Sequence, residues 1–294
     1  MAPTELRGAA VSPLVAELAA VLTAAGIPEA EREASDIVAA VLDAPRFWAA
    51  AHASEIVSSA DAAAMRAAAA RRARGAPFAY AVGRAAFRHL SLGVDERVLI
   101  PRAETEELVQ RVLEAMSDET GGTAVDLGTG SGAIALALAQ EGRFDRVIAT
   151  DISDGALAVA RANAARCAPA LRGAVEFRAG EWLAPLAGVR ARAVVSNPPY
   201  IASGEAADLP ASVRDWEPPV ALFAEDSGMR DIACIIHGAH TVLDAGGLLA
   251  LEVDSRRASL AAELALADGH YRDVSVRLDL AGRERFLLAR RGEE

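Results

Sequence analysis

Asn197-Pro198-Pro199-Tyr200 directly follows a short apolar run, Ala193–Ser196, and its residue types are those that could do chemistry. Two adjacent prolines end a strand, because neither supplies an N–H to a ladder. That leaves the flanking Asn and Tyr unexplained. A planar nitrogen, in an amide or an exocyclic amine, explains them. Its lone pair is delocalised, so it attacks poorly unless it is held and its developing charge is stabilised. The Asn197 side-chain oxygen and the Pro198 carbonyl can each accept one N–H from such an NH2 group, which orients the nitrogen and stabilises positive charge growing on it. Pro198 and Pro199 stiffen the frame, and Tyr200 can pack over the flat group. No strong base is needed before group transfer, since the proton can leave afterwards.

A second constellation lies upstream. Val125-Asp126-Leu127-Gly128-Thr129-Gly130-Ser131-Gly132 ends one apolar run and opens a helical one, Ala133–Gln140. Glycines allow a tight turn and close approach of a ligand to the backbone, and the following helix start offers free N–H groups. Asp151, at the end of the next strand, is placed to accept both hydroxyls of a ribose. A dinucleotide or S-adenosylmethionine would suit this layout. The dinucleotide loop is Gly-x-Gly-x-x-Gly, whereas the third glycine here comes one residue early. Asp126 favours the sulfonium cofactor, because a carboxylate there can meet a cationic amino-acid end. Gly128, Thr129, Gly130, Ser131 and Gly132 would then cradle it. Trp182, after the third strand, could pack against the adenine, or simply fill the core.

Positioning both constellations requires strand–helix alternation. The candidate strands are Ala124–Leu127, Arg146–Thr150, Val175–Ala179, Ala193–Ser196, Leu248–Val253 and Arg285–Ala289. Helices between them imply an α/β fold, a doubly wound, mostly parallel sheet. The region before it is helical: Val11, Leu14, Val15, Leu18 and Leu22 repeat at helical spacing, Gly26-Ile27-Pro28 breaks that helix, and further helices span about 29–42 and 59–74. Short apolar runs at Phe87–Val94 and Arg97–Ile100 read as a β-hairpin or linker. The domains are therefore 1–76 helical, 77–104 hairpin, and 105–294 catalytic.

The chain has 294 residues, 52% of them hydrophobic and 4% aromatic, with a formal net charge of -11. An acidic chain argues against broad binding to a phosphate backbone. Arg71-Arg72-Ala73-Arg74 reads as a solvated helix end rather than a nucleic-acid contact. Cys167 and Cys234 belong to no metal-type cluster and read as reduced core thiols. His237 and His240 sit three apart on a helix with no third ligand in view, so no metal is expected. The opening MAPTELRGAA lacks a leader pattern, and no long apolar run lacks charge. The expectation is a cytoplasmic monomer without membrane contact or direct nucleic-acid contact.

These residues, with Leu99-Ile100-Pro101-Arg102-Ala103-Glu104-Thr105-Glu106, Glu217-Pro218, Ala221-Leu222, Asp226-Ser227-Gly228-Met229, Gly246-Gly247 and Leu251-Glu252, resemble the peptide chain release factor glutamine N5-methyltransferases. The resemblance covers most of the chain. It implies the class I S-adenosylmethionine-dependent fold with a small N-terminal helical domain. It also implies methylation of the Gln in the Gly-Gly-Gln motif of class 1 release factors. Gly128 to Gly132, Asp151, Trp182 and Asn197 would contact the cofactor, and Asn197 to Tyr200 would hold the glutamine amide. Phe87 in the hairpin and Arg102 in the Pro-Arg segment would lie near the substrate. The chain departs from the family at Ala86 (usually Glu), Ala103 (usually Pro) and Asp254 (usually Gly), all towards the substrate side. A small-molecule amide or guanidine is the alternative substrate, and DNA adenine a more distant one.

Overall fold

The computed structural model describes residues 8–293. The first seven residues of the opening stretch, and of the helical domain expected from residue 1, lie outside the described residues. Two compact units emerge: one runs to Arg84 and takes in Pro210–Trp216, the other comprises Ala85–Leu209 with the chain from Glu217 onward.

The first unit is built on three helices, α1 (Val11–Ala24), α2 (Ala30–Val41) and α3 (Ser59–Ala73). Leu14, Leu18, Leu22, Ile37, Val38 and Met65 form its core. Alanines fill the buried face of α3, so helices approach closely at little side-chain entropy cost. Gly26, at φ +72°, makes the α1–α2 turn that the Gly-Ile-Pro break announces. Ser58 caps α3 by accepting the Asp61 N–H at 3.0 Å. The basic run at its end is not wholly solvated: Arg72 pairs with Glu33 of α2 at 2.5 Å.

The second unit holds a seven-stranded sheet: β1 (Thr123–Leu127), β2 (Arg146–Asp151), β3 (Ala174–Ala179), β4 (Ala191–Ser196), β5 (Leu243–Glu252), β6 (Tyr271–Leu278) and β7 (Glu284–Arg291). The order is β3-β2-β1-β4-β5-β7-β6, with β7 antiparallel to both neighbours. Successive residues of β1 and β4 face opposite layers: Ala124, Ala193 and Val195 one side, Val125, Leu127 and Val194 the other. Helices α4 (Ala103–Ala115) and α5 (Ala133–Glu141) cover the first side. Helices α7 (Arg230–Ala239) and α8 (Ala258–Asp268) cover the second; α6 (Asp154–Cys167) follows β2.

Strand order reverses between β1 and β4, so the loops leaving their carboxyl ends diverge and open a crevice. Leu127 pairs with Ser196 at that edge, and the Ser196 hydroxyl donates to the Leu127 carbonyl at 2.7 Å. The glycine loop and the Asn-Pro-Pro-Tyr segment therefore start side by side.

Some expectations need correction. β6 is a strand the sequence did not reveal; as an edge strand it buries only Tyr271, so its alternation is blurred. The hairpin lies at Arg84–Phe87 and Leu90–Gly93, while Arg97–Ile100 is a loop whose Ile100 N–H goes to Glu217 rather than a ladder. Cys167 is buried, but Cys234 is exposed, because it falls on the face of α7 opposite Ile232, Ile235 and Ile236.

Candidate active site

The glycine loop is held by backbone and by two acids. Gly128 takes φ +69°, and a Cβ there would meet the Trp182 ring at 3.3 Å, so the position requires glycine both for its turn and for that approach. Asp151 at the end of β2 accepts the Gly130 N–H at 2.8 Å on one oxygen and the Ser153 N–H at 2.9 Å on the other. Burial raises its pKa against those bonds. Asp126 lies beneath the loop, fully buried. Its Oδ2 accepts the Thr129 hydroxyl at 2.6 Å and the Ala135 N–H at 3.0 Å. Its Oδ1 has no partner in the protein. Burial pushes this carboxyl up to about 7, with the hydrogen bonds pulling the other way.

A cleft of about 300 Å³ opens above the loop, lined by Gly128, Gly130, Asp151, Trp182, Asn197 and Pro199 among others. Its acids are Asp151, Glu181, Glu225 and Asp231, and its cations are Arg97 and Arg230. Both arginines are engaged by neighbours, Arg97 with Asp95 at 2.6 Å and Arg230 with Glu225 at 2.8 Å. The lining is thus acidic in balance, which suits a cationic ligand and disfavours a pyrophosphate. Trp182 holds a left-handed backbone, φ +43°, a strained setting for a non-glycine residue that clusters at ligand sites. Its side chain hydrogen-bonds Asp231.

The clamp lies at the other end. The Asn197 Nδ2–H donates to Thr105 Oγ1 at 3.1 Å, and the Thr105 hydroxyl donates to Glu252 Oε2 at 2.7 Å. The Tyr200 hydroxyl donates to Glu252 Oε1 at 3.4 Å, and Arg285 reaches the same phenol oxygen at 3.5 Å. Glu252 is only 1% exposed, and burial pushes its carboxyl up to about 7. Burial likewise raises the Tyr200 phenol, followed by the charge of Glu252. Beyond Tyr200, Ile201–Ala202 pairs in parallel with Phe223–Ala224, which carries Pro218 to Phe223 to the cleft wall. Buried Glu217 accepts the Ile100 N–H at 3.2 Å and pairs with Arg102 at 2.5 Å, pinning the Pro-Arg segment.

The sequence-derived residues therefore separate into layers. Gly128, Gly130, Asp151, Trp182, Asn197 and Pro199 line the cleft, whereas Asp126 lies under the loop and Thr129, Ser131 and Gly132 are buried parts of it that face away from the cleft. Pro198 is buried at the strand exit, and Tyr200 and Arg102 stand behind the wall. Phe87 is not brought to the cleft: it is fully buried in the core with Leu90, Leu92 and Leu108. Of the departures, Ala86 is exposed, Ala103 opens α4, and Asp254 accepts from Arg257 at 2.7 Å, none lining the cleft. Sequence reasoning missed Ile152, Val220 and Asp231 on the wall, and the supporting role of Thr105 and Glu252. Thr105 and Glu252 stood in matching segments, but only the fold joins them.

The histidines also changed. His240, Asp268 and His270 bring ligand-type atoms within 4.8 Å of one another. His237 and His270 each bond an Asp268 oxygen at 2.8 Å. The missing neighbours lay on a different element, beyond the reach of local spacing. The His240 and His270 rings stack at 3.7 Å and 3°, and the buried His240 Nδ1 has no hydrogen-bond partner among the described residues.

Residues 14–83 match the family model described as PrmC N-terminal domain, and residues 105–212 match that described as methyltransferase small domain. The release factor glutamine methyltransferase of Moorella thermoacetica is 45% identical over 76% of this chain and 78% of its own length. The chain belongs to the release factor glutamine methyltransferase family. A second member, from Cereibacter sphaeroides, is 39% identical over 92% of this chain and 94% of its own. A methyltransferase of Pyrococcus furiosus shares the fold, with a TM-score of 0.52 at 17% identity over 71% of this chain and 92% of that one.

Family and fold imply S-adenosylmethionine as methyl donor. The residues present fit it. The orphaned Asp126 Oδ1 beneath the loop and the acidic lining above it answer a cation, and Gly128, left-handed and with a Cβ that would come within 3.3 Å of the Trp182 ring, favours glycine there. No described helix is long and apolar enough to cross a membrane.

Proposed function

We propose that this chain methylates the side-chain amide nitrogen of the Gln in the Gly-Gly-Gln motif of class 1 peptide chain release factors. The observation that carries this reading is Asn197 on the wall of the same acidic cleft as Gly128, Gly130 and Asp151. When bound, S-adenosylmethionine supplies a methyl group on a positively charged sulfur. Gly128 and Gly130, in a loop shaped from behind by Asp126, Thr129, Ser131 and Gly132, would hold its amino-acid end, Asp151 its ribose and Trp182 its adenine. Asn197 and the Pro198 carbonyl accept the two N–H bonds of the glutamine amide, so that its nitrogen faces the donor and its growing charge meets two oxygens. Pro199 and Tyr200 confine the flat group. Phe87 and Arg102 act at one remove, Phe87 through the core and Arg102 through the segment that Glu217 pins.

Incubating purified protein and release factor with labelled cofactor tests this. Label is expected in the release factor, and none after the motif Gln is changed to Ala. Absence of label in the unmodified release factor sinks the proposal.

A further inference from the structure

We infer that Thr105 and Glu252 are positioning residues that fix which end of the Asn197 carboxamide meets the substrate. This rests on the proposed amide methylation.

A carboxamide presents an acceptor oxygen and a donor NH2 of nearly equal size, so shape alone does not choose between its two orientations. The proposed chemistry needs the oxygen outward, because an NH2 facing the substrate amide would repel its N–H bonds and the charge growing on its nitrogen. Hydrogen-bond accounting makes the choice. An ionised Glu252 accepts and cannot donate. It is 1% exposed and faces Thr105 from α4 and Tyr200 from the clamp, so both hydroxyl protons must point at it. Thr105 is 5% exposed, and its single proton is spent on Glu252 at 2.7 Å. Only lone pairs remain on Thr105 Oγ1, and they call for a donor. The Asn197 NH2 is that donor, at 3.1 Å. Its oxygen is then left for the cleft that Asn197 lines.

The relay depends on charge. A protonated Glu252 could donate to Thr105, whose own proton would then be free to hold the Asn197 oxygen inward. The charged and titratable groups facing Glu252 are Arg285 of β7, which favours its ionised form, Glu104 at the start of α4, which opposes it, and Tyr200. Burial outweighs Arg285, and the carboxyl titrates at about 7. Ionisation, and with it the outward oxygen, is gained as pH rises through that value.

The test uses the full-length protein, a release factor substrate and four variants. Thr105→Val removes the hydroxyl at constant shape; kcat should fall about 10- to 100-fold, the range for one misdirected polar contact. The KM for S-adenosylmethionine should stay within about threefold. Thr105→Ser keeps the relay and should restore kcat. Wild-type kcat should rise through about pH 7, and Glu252→Gln should lose that limb. Asn197→Asp, which presents an acceptor whichever way it turns, should make the rate indifferent to Thr105→Val. Calorimetric binding of a Gly-Gly-Gln peptide supplies a readout independent of turnover: it should weaken in Thr105→Val and recover in Thr105→Ser. Thermal melts at pH 8 separate misfolding from misorientation, since Glu252→Gln removes a buried charge and should melt no lower than wild type.

A wild-type enzyme that methylates release factor while Thr105→Val keeps its kcat and peptide affinity overturns the inference and leaves the proposed function standing. A wild-type enzyme that never labels release factor overturns the proposed function instead.

Discussion

The two ends of the cleft are each braced by a buried acid, but in different ways. At the glycine loop, Asp126 holds one hydroxyl and one backbone N–H, and Asp151 holds two backbone N–H groups. At the clamp, Glu252 holds only side chains, the hydroxyls of Thr105 and Tyr200. A backbone brace sets the shape of a loop and tolerates changes in side chains around it. A side-chain brace sets the polarity of one group and fails when a single proton moves. The first suits holding a cofactor whose outline is fixed; the second suits a clamp that must present acceptors to an N–H pair.

The sharpest break of that contrast is Asn197→Ala. It removes one of two acceptors at the growing charge, and turnover should fall about 10²- to 10³-fold. Cofactor affinity, measured by calorimetry, should weaken by less than about tenfold. An equal collapse of both would mean the ends are not separable. Next is Gly128→Val. The left-handed φ and the Trp182 ring leave no place for a branched side chain. Strain of about 1–3 kcal/mol should weaken cofactor binding by roughly 10- to 100-fold, while peptide affinity stays near wild type. A smaller effect is expected of Asp151→Asn. The amide keeps one acceptor but turns its NH2 towards either the Gly130 or the Ser153 N–H and loses the charge offered to a ribose, so cofactor Kd should rise about tenfold and the melting temperature should fall.

The sequence made the cofactor end more legible than the clamp's support. Gly128 to Gly132, Asp151 and the strand runs around them are local signals, because a turn needs glycine where φ is positive and a doubly buried strand needs a continuous apolar run. Asn197 to Tyr200 is equally local. The support behind it is not: Thr105 lies on α4, Glu252 at the end of β5, and their 2.7 Å contact exists only because α4 packs against β5. Phe87 shows the opposite case. The family resemblance places it near the substrate, whereas in the structure Leu90, Leu92 and Leu108 bury it completely. Edge position hid β6, whose Tyr271–Leu278 alternation is diluted by Arg and Asp on a half-exposed strand.

The smallest effect on rate belongs to Asp126→Asn, and its signature is in stability. The carboxyl is fully buried and outside the cleft lining, so turnover at saturating cofactor should change by no more than a few-fold, in line with an indirect contact. Its folded pKa, about 7, stands above the 3.8 of an ordinary Asp. The native state therefore holds a proton that the unfolded chain releases. The stabilisation from this is full below pH 3.8 and is lost as pH rises to about 7. Over that span the cost of ionising it is on the order of 4 kcal/mol. Asn titrates nowhere in this range, keeps an acceptor for Thr129 and Ala135, and places an NH2 where Oδ1 has no partner. Melting temperature measured from pH 5 to pH 8 should fall less steeply in Asp126→Asn than in wild type, and Glu252→Gln should flatten it again in the double variant. If the single variant keeps the wild-type slope, Asp126 holds no proton in the fold that the unfolded chain lacks, and the loop is braced by a carboxylate ionised across this range. Glu252 would then be the one of these two buried acids that holds a proton near neutral pH.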